Sequence, residues 1–163
     1  MISDNYEKDI FLQPGELHFG QHDTRIRTLL GSCIAITLWH PAKRIGGMCH
    51  YMLPEKLSNN TSALDGRYAK DVLQLFMKEL EKNGTFPYQY EVKIIGGGSQ
   101  FPSQGESGVP DRNIDIGRQL LAKYGFSIKV EHLGGQGHRS VIFDVSNGDV
   151  WIKHVEERLD ISY

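Results

Sequence analysis

One apolar run breaks at a glycine-serine corner and resumes behind a cysteine, and that break limits what the chain can become. Thr28-Leu29-Leu30 leads into Gly31-Ser32, and Cys33-Ile34-Ala35-Ile36-Thr37-Leu38 follows as a strand-like stretch rich in β-branched residues. A second apolar stretch, Gly46-Gly47-Met48-Cys49-His50-Tyr51-Met52-Leu53, closes at Pro54. The short polar loop His40-Pro41-Ala42-Lys43-Arg44 joins the two and predicts adjacent strands, with Cys33 and His50 near one end of a sheet. That is the layout of an activated thiol, since an imidazole can hold a cysteine as thiolate and later return its proton. Alternation along the second stretch sends Met48, His50 and Met52 to one face and Cys49, Tyr51 and Leu53 to the other. Cys49 and His50 therefore point apart.

The remaining residues suit an α+β fold, with a mixed or antiparallel sheet covered by helices. Leu17 and Phe19 alternate after the turn Pro14-Gly15-Glu16, and Ile26–Leu38 and Arg44–Leu53 read as the two core strands. Asp65 is placed to cap a helix whose Tyr68, Ala69, Val72, Leu73, Phe76 and Leu80 recur at helical spacing, with Asn83-Gly84 as its stop. Tyr90–Ile95 reads as a strand running into Gly96-Gly97-Gly98-Ser99, and residues 100–109 read as loop. Asp111 is placed to cap a second helix ending at Gly125. Ser127–Leu133 is a strand, and Ser140–Val145 with Asp149–His154 forms a hairpin around Asn147-Gly148.

A chain of 163 residues is one domain's worth, so residues 1–163 are expected to form a single unit with a flexible stretch over 1–10. Its 18 Lys and Arg against 20 Asp and Glu provide no general grip on nucleic acid or an anionic membrane. No apolar run approaches the length of a membrane span, and the polar start lacks a signal peptide's apolar core. Two cysteines in such a chain suit reduced thiols and a cytoplasmic location.

Local pattern leaves Cys33 open between a small core residue and a nucleophile. In favour of the nucleophile, the Gly31-Ser32 corner can turn sharply and present amide N–H groups near the sulfur as an oxyanion hole. A third group should orient the imidazole of His50, and Thr28, Ser32 or a backbone carbonyl are the choices. Gly96–Gly98 and Gly134–Gly137 are turns or places of close approach to a substrate. Neither loop matches a phosphate or dinucleotide fingerprint, so no cofactor is expected. A zinc site from Cys33, Cys49, His50, His132 and His138 lacks ligand spacing, so no metal is expected either. Arg67-Tyr68, Arg112-Asn113 and His138-Arg139 read equally well as pocket or as solvated surface.

The segment Thr28-Leu-Leu-Gly-Ser-Cys33-Ile-Ala-Ile resembles the nucleophile segment of the CheD family, the chemoreceptor glutamine deamidases. The likeness continues through Pro14-Gly15-Glu16, Gly46–Pro54, Gly66-Arg67-Tyr68-Ala69, Lys93–Gly98, Arg112-Asn113, Gly134-Gly135 and Arg139, in the family's order. The resemblance implies two packed sheets with helices outside, Cys33 as nucleophile, His50 as base and acid, and Thr28 as the third member. Gly31 and Ser32, with Gly97 and Gly98 from the glycine loop, would then serve the oxyanion or the substrate. Conversion of receptor glutamines to glutamate is the implied reaction, with receptor methyl-ester hydrolysis as a second. Methyl-accepting chemotaxis receptors are the implied substrates and the CheC phosphatase an implied partner. Two departures stand out: Val109-Pro110-Asp111 replaces a more usual Ile-Gly-acid, and Cys49 sits where small non-thiol residues are common. The rival readings are a non-catalytic regulatory module for CheC or receptors, and a cysteine amidase of small molecules.

Overall fold

The computed structural model describes residues 6–57, 63–100 and 108–156. Within them the strands fall into two sheets of different character, and burial along each strand shows why. In the strand Thr24–Leu30 buried and less buried positions alternate, as in a sheet with one wet face. In the strand Ile34–His40 nearly every position is buried, which requires cover on both sides.

The first sheet has the order β1-β3-β8-β9, with β1 (Lys8–Leu12), β3 (Thr24–Leu30), β8 (His138–Asp144) and β9 (Val150–Val155). The second has the order β2-β5-β4-β6-β7, with β2 (Leu17–Gly20), β5 (Ile45–Cys49), β4 (Ile34–His40), β6 (Glu91–Gly96) and β7 (Ile128–Leu133). Both are mixed, because β1 runs parallel to β3 and β6 parallel to β7 while the other pairs are antiparallel. Helices α1 (Ala69–Lys82) and α2 (Val109–Lys123) lie on one face of the five-stranded sheet. Phe76 and Leu80 of α1 and Ile114 and Leu121 of α2 bury there with Ile36, Leu38, Val92 and Ile94. On the opposite face Ala35, Met48 and Ile95 meet Ile26, Leu30, Val141 and Phe143 of the four-stranded sheet. The result is the expected α+β architecture of two packed sheets with helices outside. Among the described residues no helix is long and apolar enough to cross a membrane.

Several local expectations need correction. Ile26–Leu38 is not one strand: the chain leaves β3 at Leu30, turns through Gly31-Ser32-Cys33, and enters the other sheet as β4. Asp65 does not cap α1, whose N-cap is Tyr68; its carboxylate instead takes the N–H groups of Arg67. Asp111 lies inside α2, which starts two residues earlier behind Gly108 because Pro110 suits the first turn. Lys8–Ile10, expected to be loose, pair with Thr24–Ile26. The polar loop 58–62 and most of the loop 100–109 lie outside the described residues. The stops at Gly84 and Gly125 have the positive φ expected of them, and β8 and β9 form the expected hairpin.

Phe143 is fully buried between the two sheets. Phe143→Ala should lower unfolding stability by about 3–5 kcal/mol in urea titration, with an unchanged slope. A wild-type midpoint would contradict this packing.

Candidate active site

The corner between β3 and β4 and the end of β5 converge where the two sheets meet. Ile34 and Tyr51 exchange both backbone hydrogen bonds, at 3.0 and 2.9 Å, so the antiparallel pairing of β4 and β5 extends to this end. In that register Cys33 and His50 share a face as diagonal neighbours. Cys49 and Tyr51 turn the other way into the helix-covered core, as alternation requires, and burial pushes the Cys49 thiol up to about 12.

His50 is held at its backbone and at its ring. Its carbonyl accepts from the N–H of Gly15 at 2.8 Å, and its own N–H donates to Glu16 at 3.1 Å, so the turn Pro14-Gly15-Glu16 clamps it. Glycine at position 66 lets the chain there pack against the same turn, because a Cβ would lie 2.3 Å from the Gly15 carbonyl oxygen. The ring Nδ1 lies 2.7 Å from Thr28 Oγ1, which also donates to the Leu12 carbonyl at 2.8 Å. A threonine hydroxyl has one proton, and a carbonyl can only accept. With that proton on Leu12, Thr28 must accept from His50, so Nδ1 carries the hydrogen and Nε2 keeps its lone pair. Nε2 is buried and has no partner among the described residues. Of the three orienting groups open to sequence reasoning, the structure brings Thr28 to the ring.

Burial decides the resting charges. It raises the Cys33 thiol above its ordinary value, with the Ser32 hydrogen bond opposing, and lowers the His50 imidazole to about 4. The sequence suggests an imidazole-held thiolate; burial instead favours the neutral form of both the Cys33 thiol and the His50 imidazole.

The glycine loops brace this corner. Gly97 N–H donates to the Cys33 carbonyl and Gly98 N–H to the Gly31 carbonyl, each at 3.0 Å. These two amides, expected to face an oxyanion or substrate, are committed to the backbone of the corner. A Cβ on residue 96 would lie 2.3 Å from the Cys33 carbonyl oxygen, at a φ of +118° that also favours glycine. Among the described residues no carbonyl takes the N–H of Ser32 or of Cys33. Behind the loops Arg139 is 2% exposed, donating to the Gly96 and Gly134 carbonyls and to His132 Nδ1. Of the two readings open for it in the sequence, pocket or solvated surface, the structure gives the buried one.

Asn113 of α2, open in the sequence between pocket and surface, also reaches the corner. It is fully buried, and its Nδ2 donates to the Met52 carbonyl at 2.8 Å and the Ser32 carbonyl at 3.4 Å. The sequence signal was its place beside Arg112 near a helix start, a pair that the family resemblance also includes. A groove of about 460 Å³ opens alongside, lined by Leu53, Pro54, Leu57, Arg112, Asp115 and Ile116 among others. Among the described residues no three His, Cys, Asp or Glu side chains converge as metal ligands.

Residues 52–154 match the family described as CheD chemotactic sensory transduction. A protein of Dechloromonas aromatica named probable chemoreceptor glutamine deamidase CheD 3 is 49% identical over 146 residues, covering 88% of this chain and 86% of that one. A probable chemoreceptor glutamine deamidase CheD of Pseudomonas savastanoi pv. phaseolicola is 44% identical over 150 residues, covering 90% and 84%. A probable chemoreceptor glutamine deamidase CheD 1 of Leptospira interrogans is 38% identical over 158 residues, covering 91% and 93%.

A buried neutral His50 has a pH signature. The unfolded chain binds the proton near the ordinary histidine value of about 6.5, whereas the folded protein resists it down to about 4. The unfolded state thus holds more protons in that window, and stability falls as pH drops through it. Burial also lowers His18, His40 and His132, so the comparison needs a variant. Between about pH 7 and about pH 4.5 the wild type should lose roughly 2 kcal/mol more than His50→Gln, measured by urea unfolding. Equal losses would place the His50 ring in water.

Proposed function

The chain belongs to the CheD family, and on that premise we propose that it is a protein-glutamine deamidase acting on methyl-accepting chemotaxis receptors through a thioester on Cys33. The observation that carries this reading is the Thr28–His50 hydrogen bond. It leaves the Nε2 lone pair as the only basic site of the ring, on the face that His50 shares with the thiol.

In the proposed reaction His50 Nε2 takes the Cys33 proton as Sγ attacks the side-chain carbonyl carbon of a glutamine. The carbonyl oxygen becomes an oxyanion facing the N–H groups of Ser32 and Cys33. Collapse breaks the C–N bond, and His50 gives its proton to the nitrogen, which leaves as ammonia. Water then loses a proton to Nε2 and attacks the thioester. The C–S bond breaks, the thiol recovers its proton, and a glutamate side chain departs. Starting from a neutral pair suits an uncharged amide, since charge develops only as the transition state forms and the donors respond to it there. A receptor methyl ester would pass through the same steps with methanol leaving. The groove beside α2 offers room for the chain flanking the glutamine. A CheC-type partner seated over this corner would restrain the reaction by covering it.

A receptor cytoplasmic fragment incubated with the protein should gain about one dalton per modified glutamine by peptide mass spectrometry. Cys33→Ala should reduce the yield by at least about 10³-fold, because nucleophile and base act as one unit. Deamidation that survives Cys33→Ala would overturn the thioester. No mass change over a panel of receptors, with complexes formed equally well by Cys33→Ser, would favour the regulatory module. Turnover of free glutamine without receptor would favour the small-molecule amidase.

A further inference from the structure

Asn113 is a buried polar group that the thioester scheme does not use. It sits on α2 with no exposed surface, and its backbone carbonyl accepts the Tyr51 hydroxyl at 2.5 Å. Its side-chain orientation is set by two carbonyl neighbours, Met52 and Ser32, which only an NH₂ group can serve. Its Oδ1 is buried without a partner among the described residues. An unpaired buried acceptor is destabilising, and it offsets part of what the two Nδ2 hydrogen bonds contribute.

The two carbonyls that Nδ2 touches belong to opposite sides of the site. Met52 continues the strand end that carries His50, and Ser32 precedes Cys33. The Ser32 carbonyl and the Cys33 N–H are the two ends of one peptide group. Fixing that carbonyl toward Asn113 aims the Cys33 N–H the opposite way, and a hydrogen bond at the oxygen strengthens the donor at the nitrogen. The neighbouring peptide is treated alike, since Gly98 N–H holds the Gly31 carbonyl whose partner is the Ser32 N–H. Both free amides of the corner are therefore set from behind.

We infer that Asn113 is a positioning residue that orients the Cys33 amide as an oxyanion donor. This rests on Cys33 being the nucleophile of the deamidation. It makes a prediction that general loosening of the corner does not: oxyanion stabilisation serves acyl transfer, whereas alkylation of a thiol by iodoacetamide forms no oxyanion on the reagent.

The test compares Asn113→Ala and Asn113→Asp with the wild type in two assays. These are deamidation of a receptor fragment, and iodoacetamide labelling of Cys33 followed by peptide mapping. With Cys33-dependent deamidation established for the wild type, kcat should fall about 10- to 100-fold in the variants. KM and the Cys33 labelling rate should stay within about threefold. A folded variant with wild-type kcat overturns the inference, and so does one whose kcat and labelling rate fall by the same factor. Should neither variant fold, the wild type decides. A peptide bearing glutamate semialdehyde in place of the glutamine adds Cys33 Sγ to its carbonyl carbon, giving a hemithioacetal oxygen where the oxyanion would stand. The Asn113 side-chain NH₂ resonances should move on adduct formation, and adduct formation without movement overturns the inference. Failure to form any adduct, with deamidation independent of Cys33, would instead remove the thioester reading beneath it.

Discussion

The orientation of the His50 ring depends on a single threonine proton. Thr28 donates to the Leu12 carbonyl of the neighbouring parallel strand, so its oxygen can only accept from His50. The backbone of β1 and β3 therefore selects the histidine tautomer, and no carboxylate is required. A carboxylate in that place would favour the imidazolium. A hydroxyl orients the ring while leaving it neutral, and burial then holds it so, with the imidazole lowered to about 4.

The rest of the architecture delivers groups to this point. Thr28 comes from the outer sheet and His50 from the middle sheet, with Cys33 on the stretch of chain that crosses between them. Helix α2 reaches the corner through Asn113, the glycine loop after β6 reaches it through Gly97 and Gly98, and the loop after β7 bonds to Gly96 through Gly134. Arg139 ties those loops together with a buried cation that meets two carbonyls and an imidazole. The candidate site is thus a junction of layers, and its precision depends on the packing of Ile26, Leu30 and Phe143 between the sheets.

Much of this was legible in the residues. Alternation along Met48–Leu53 separated His50 from Cys49 correctly, and the polar loop 40–44 announced the β4–β5 pairing. The Asn-Gly hairpin was equally plain. What escaped were features that depend on long-range partners. Nothing local shows that Gly31-Ser32 carries the chain from one sheet into another, so Ile26–Leu38 reads as one strand. Asp65 and Asp111 have good capping chemistry, yet the turn taken by Arg67 and the proline at position 110 decide the actual helix starts. Gly97 and Gly98 look like donors for a substrate until their carbonyl partners 64 and 67 positions back are seen. Asn113 and Arg139 stay open between pocket and surface in the sequence because their burial comes from elements distant in sequence.

The account stands on a neutral base whose proton is on Nδ1, and nitrogen NMR of His50 in the resting protein tests that directly. At neutral pH the predicted spectrum shows a protonated Nδ1 and a bare Nε2, unchanged on acidification until the pH nears about 4. An Nε2–H tautomer, or an imidazolium already present at neutral pH, would contradict the role given to Thr28 and with it the resting state from which the proposed reaction begins.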